Sequence, residues 1–110
     1  MLEKVIVLCS CADLDAARGI ANALVEARLA ACVSIVPSIE SVYRWREKIE
    51  RANETLLLIK TTSACFAALQ EKILALHNYD TPEIIALPIT AGSEKYLDWL
   101  RQETDITRKG

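Results

Sequence analysis

The stretch CVSIVPSIESVYRWREKIERANETLLLIKTT, residues 32–62, decides the fold. Both of its ends are β-branched and apolar, which predicts two strands, and the polar REKIERANE between them supplies a turn. Pro37 interrupts the first strand, because proline cannot donate to a ladder and marks an edge or a bulge. Working outward, KVIVLCS at residues 4–10 predicts an earlier strand. From Asp13 the pattern changes: Leu14, Ala17, Ile20, Ala21, Leu24 and Val25 share one helical face, Arg18 and Glu26 face out, and Asp13 caps the start. On the other side, the spacing of Phe66, Leu69, Ile73 and Leu76 predicts an amphipathic helix from Ser63 to His77. NYDTPE reads as a loop, since Asp80-Thr81-Pro82 carries turn chemistry. EIIALPI predicts a fourth strand, and Ser93 caps a short final helix holding Tyr96, Leu97, Trp99 and Leu100.

The order is thus strand, helix, strand, strand, helix, strand, helix in a single domain spanning residues 1–110. Two crossover halves around a central hairpin specify an α+β, ferredoxin-like βαββαβ(α) fold, with an antiparallel sheet and the two main helices on one face. An antiparallel sheet covered on one side should alternate apolar and polar residues. The strands VIVLC, LLLI and IIALPI do not; they are apolar at consecutive positions. With 52% hydrophobic residues in 110, the second sheet face is expected to lie against a copy of the same chain. A formal net charge of −2, with 13 Lys and Arg scattered among 15 acids, argues against a nucleic-acid partner. The apolar run at the start is too short for a signal peptide or a membrane span, so no membrane partner and a cytoplasmic location are expected. There Cys9, Cys11, Cys32 and Cys65 would be reduced, and their spacing offers no disulfide framework.

LAACVSIVPSIESVYRW, the KT that follows LLLI, HNYDTPEIIALPI, and then Tyr96 and Trp99 together resemble the CutA family of divalent-cation tolerance proteins. The resemblance runs from Lys4 to about Glu103. It implies a fold like that of the PII signalling proteins, assembled as a homotrimer whose long second and third strands reach the neighbouring subunit. Tyr43 and Trp45 would then be subunit-interface residues. It also implies a non-enzymatic role in metal tolerance. The copper ligands proposed for some members correspond to Cys9 and His77, while Leu76 stands where a second histidine would be. Glycine usually follows Trp-x in the family's hairpin. Here Glu47 occupies that place, and an altered hairpin within an intact trimer is expected.

The residues themselves suggest two sites. Cys9 and Cys11 stand two apart on a strand, so both point to the same face and could hold a soft ion such as Cu(I); equally, Cys9 could serve as a small buried apolar residue. His77, the single histidine, could ligate copper or another divalent cation, or could simply sit at the negative end of a helix. Lys60, Tyr79, Glu83 and a neighbour's Trp45 suggest an inter-subunit cleft for a small anionic or metal-bound ligand. That cleft would make the protein a PII-like sensor or scaffold; the plainer reading is a salt bridge under aromatic packing. No nucleophile elbow, P-loop or dinucleotide fingerprint is present, and no catalytic residue or tightly held cofactor is assigned. An acylphosphatase would need an Arg over a phosphate loop, whereas Arg18 sits within a helical pattern.

Overall fold

The computed structural model describes residues 3–105. Its elements are β1 (Lys4–Cys11), α1 (Leu14–Glu26), β2 (Cys32–Trp45), β3 (Lys48–Thr62), a 3-10 turn (Ser63–Cys65), α2 (Phe66–Leu76), β4 (Ile85–Pro88) and α3 (Glu94–Glu103). Strand order is β2-β3-β1-β4 with every pairing antiparallel, the ferredoxin-like arrangement expected from the element sequence.

Local chemistry explains the helix starts. The Asp13 carboxylate accepts the Ala16 amide at 2.8 Å, and the Ser93 hydroxyl accepts the Tyr96 amide at 3.4 Å, so each cap satisfies a donor the helix leaves open. The core lies between the sheet and the α1–α2 layer. Val7, Cys9, Cys11, Leu57 and Ile59 meet Ala17, Ile20 and Leu24 of α1 and Leu69 and Ile73 of α2. Each fully buried Leu or Ile contributes about 1.5–3 kcal/mol of transfer free energy. Val25 and Leu76, expected on those buried faces, are exposed instead. Both fall in the last turn of their helices.

Two strands differ from expectation. REKIERANE is not a turn: only Arg46 and Glu47 lie between Trp45 and Lys48, which pair directly, and Lys48–Glu54 continue β3. Arg46 and Glu47 take φ of 50° and 68°, the left-handed backbone that a two-residue hairpin turn demands of both positions. Glu47 therefore carries the strain itself, and no longer loop replaces the turn. β4 is shorter than EIIALPI. Glu83 and Ile84 precede it, and Ile84 turns inward onto the helix-side core.

Pro37 marks a bulge. Val36 pairs with Leu56 and Ile39 with Glu54, so β2 spends one more residue than β3, and Ser38 adopts φ 62° there. An extra residue reverses the alternation of side chains. Cys32, Ser34 and Val36 share a face with Lys60, Leu58 and Leu56; beyond the bulge that face is held by Ile39, Ser41, Tyr43 and Trp45.

This second face carries no part of the α1–α2 layer. Ile6, Leu8, Leu56 and Leu58 are half-buried on it, and Ile85 and Leu87 are 49% and 48% exposed. β1 accompanies β3 only from Thr55 to Thr62, so the outer part of the β2–β3 hairpin projects as a two-stranded arm. That arm exposes Val42, Tyr43, Trp45 and Ile49 and stretches the molecule to 45 × 27 × 22 Å. α3 lies towards the opposite end, with Tyr96 beside Cys32; burial first, and then the neighbouring thiol, pushes the Tyr96 phenol up.

Candidate functional site

Strand alternation puts Cys9 and Cys11 on the helix side of β1, and the end of α2 brings His77 to them. The Sγ atoms and the imidazole lie within 4.8 Å of one another, the only such group of three potential metal ligands among the described residues. Both thiols are buried. The Cys9 thiol donates to the Ser10 carbonyl at 3.9 Å. The neighbouring Cys11 thiol first, and then burial, hold Cys9 protonated well above the usual thiol range. Cys9 in turn lowers Cys11, with burial opposing, so Cys11 is the first of the pair to ionise.

His77 is held at both nitrogens. The Tyr79 amide donates to Nδ1 at 3.1 Å, which assigns the ring proton to Nε2, and Nε2 donates to the Ser10 carbonyl at 2.8 Å. An ion binding at either nitrogen must displace one of these partners. Leu76 points outward and contributes nothing to the group. Two thiols and an imidazole are soft and borderline donors, a set that fits a thiophilic ion and is poor for Mg²⁺ or Ca²⁺.

His77 also links this group to an open cleft. Its ring packs against Tyr79 with centroids 4.7 Å apart, and Tyr79 lines a cavity of about 650 Å³ with Tyr43, Trp45, Glu54 and Glu83. The Pro37 bulge is what turns Tyr43 and Trp45 to the face that Glu54 occupies. The Tyr79 hydroxyl donates to Glu54 Oε2 at 2.6 Å. Burial first, then the Glu54 carboxylate, raises the phenol above its ordinary value, since an anion beside a carboxylate is disfavoured.

Of the residues expected in the cleft, the fold brings together Tyr79, Glu83 and this chain's own Trp45, and it leaves out Lys60. Lys60 pairs with Cys32 and Ile6, and Ile6 pairs with Leu87, whereas Glu83 precedes Ile85, the partner of Leu8. Lys60 and Glu83 therefore stand towards opposite ends of the sheet. The Lys60 ammonium instead donates to the Ser34 hydroxyl and lies 3.9 Å from Cys32 Sγ. Glu54 is the residue missed. It alternates with Leu56, Leu58 and Lys60, so period-two counting from Lys60 would have placed it on this face.

The CutA1 divalent ion tolerance protein family matches residues 5–103 of the chain. The Divalent-cation tolerance protein CutA of Thermus thermophilus is 52% identical over 99 residues, covering 90% of this chain and 96% of that protein. A chloroplastic Protein CutA of Arabidopsis thaliana is 48% identical over 103 residues, covering 94% of this chain, which spans only 57% of that relative's length. The solved divalent cation tolerance protein of Thermus thermophilus superposes with a TM-score of 0.91 at 51% identity, over 92% of this chain and 98% of the other. Sequence and architecture agree, and the chain belongs to the CutA1 divalent ion tolerance family.

Proposed function

We propose that the protein is a non-enzymatic, cytoplasmic homotrimer that serves divalent-cation tolerance by taking a thiophilic metal ion, copper foremost, at Cys9 and His77, with Cys11 as a third donor. The observation that carries the metal reading is the convergence of those three ligand atoms within 4.8 Å. Relatives named for divalent-cation tolerance support the same direction. The bound ion would supply the charge that keeps both thiols ionised in a buried setting, and the chain's part is to deliver two sulfurs and one imidazole nitrogen. Because Cys9 is held protonated, uptake through its sulfur must release a proton and weaken as pH falls. The trimer accounts for the apolar sheet face and for an arm of two strands, which by itself is marginally stable.

Calorimetric titration of the reduced protein with Cu(I), Cu(II) and Zn(II) tests the metal half. Saturable heat is expected, with proton release that depends on buffer ionisation and is lost in Cys9→Ser and His77→Ala. Heats that neither variant changes would refute a specific site. A second reading is a PII-like sensor or scaffold that holds a small molecule in the cleft; a cavity of about 650 Å³ built from aromatic rings and a few polar groups favours it.

A further inference from the structure

The charge lining the cleft is the reverse of what a lysine-bearing site would have. Glu54, Asp80 and Glu83 border it, and no lysine or arginine does among the described residues. None of the three acids forms an ion pair there among the described residues. Glu54 is the most telling, being only 8% exposed. One of its carboxylate oxygens takes the Tyr79 hydroxyl, and the other has no hydrogen bond among the described residues. Tyr43, Tyr79 and Trp45 bring their rings to the same space, and the face of an aromatic ring attracts cations. The chain already shows this use of Trp45, since the Arg46 guanidinium lies 5.6 Å from its ring centroid.

A point ion does not match this lining. Glu54, Asp80 and Glu83 do not converge as metal ligands, because the only group that does among the described residues is Cys9, Cys11 and His77. A cavity of about 650 Å³ also exceeds what a bare ion fills. Spread carboxylates and aromatic faces instead suit a ligand that distributes positive charge and C–H surface over several atoms.

We propose that this cleft binds a small organic cation, a primary or quaternary amine whose charged nitrogen sits between the Glu54 carboxylate and the rings of Tyr43, Tyr79 and Trp45. The proposal rests on the cleft being a ligand site and names the chemistry of its ligand. Glu54 is the charge anchor, Glu83 and Asp80 at the rim attract cations and exclude anions, and Tyr79 orients Glu54 through its hydroxyl.

Binding is tested on the full chain in its native assembly, with Trp fluorescence and thermal melting as readouts. The probes are tetramethylammonium, ethanolamine and spermidine, against acetate, citrate and glycerol at matched ionic strength. The amines are expected to quench Trp45 saturably, a signal absent from Trp45→Phe, and to raise the melting temperature. Glu54→Gln keeps an acceptor for Tyr79 and so preserves the fold, yet should weaken amine binding about tenfold or more, as expected for loss of a charge-assisted contact. Tyr43→Leu should weaken quaternary amines more than it does glycerol. If citrate or acetate binds instead and Glu54→Gln leaves that binding intact, the cleft is a ligand site of the opposite charge class and the proposal falls alone. If no probe of either charge binds, the proposal and the cleft reading fall together.

Discussion

Glu54 and Thr61 show how much single side chains decide on β3. Thr61 is fully buried and donates to the Leu29 carbonyl at 2.7 Å, tying the entry to β2 onto the sheet. Thr61→Val conserves shape but strands that carbonyl, so chemical denaturation should show a loss of about 1–3 kcal/mol, most of which Thr61→Ser restores. Tyr79 makes a prediction in pH. Its phenol is raised in the folded state by burial and by Glu54, so folding stability is complete below the ordinary phenol value of 10.0 and declines as pH rises past it towards the higher folded value. Melting temperatures followed from pH 8 to 11.5 should fall more steeply in the native protein than in Tyr79→Phe; parallel curves would contradict the assignment. At this scale, the shared face of Cys9 and Cys11 was legible from strand alternation. That His77 joins them was not, because the contact spans 67 residues and depends on how α2 lies across the sheet.

Among the elements, the β2–β3 hairpin departs most from its sequence pattern. Five of the seven positions after Glu47 are polar or charged and look like a loop, yet Lys48–Glu54 pair residue for residue with β2. The reason is the tight turn at Arg46 and Glu47, which commits the chain to an immediate return in the ladder once their left-handed strain is borne. Glu47→Gly removes that strain and should stabilise the protein by about 1 kcal/mol, read as a shifted denaturation midpoint with unchanged slope. A destabilised Glu47→Gly would mean that the Glu47 side chain makes a compensating contact in the assembly. Pro37 was readable as a break, but its consequence was not. The bulge exchanges odd for even residues on one face and so delivers Tyr43 and Trp45 to Glu54, a matter of register between two strands that neither encodes alone.

For the whole molecule, the helix-free sheet face sets the expectation. Ile6, Leu8, Leu56, Leu58, Ile85 and Leu87 form an apolar surface that a lone chain would leave to water. In the proposed homotrimer, light scattering of the native protein should return about three times the 12.2 kDa chain mass. Leu58→Glu spares the helix-side core and should drop that mass to a single chain or abolish folding; an unchanged mass would remove the face from the interface. The amino-acid order by itself determined the succession of elements, the helix caps, the antiparallel ferredoxin-like sheet and the excess of apolar strand, because these follow from periodicity and local hydrogen bonding. Only the tertiary structure decided that Lys60 stays out of the cleft, that Glu54 enters it, and that the cleft is acidic, because strand register and a one-residue bulge determine which distant side chains share a space.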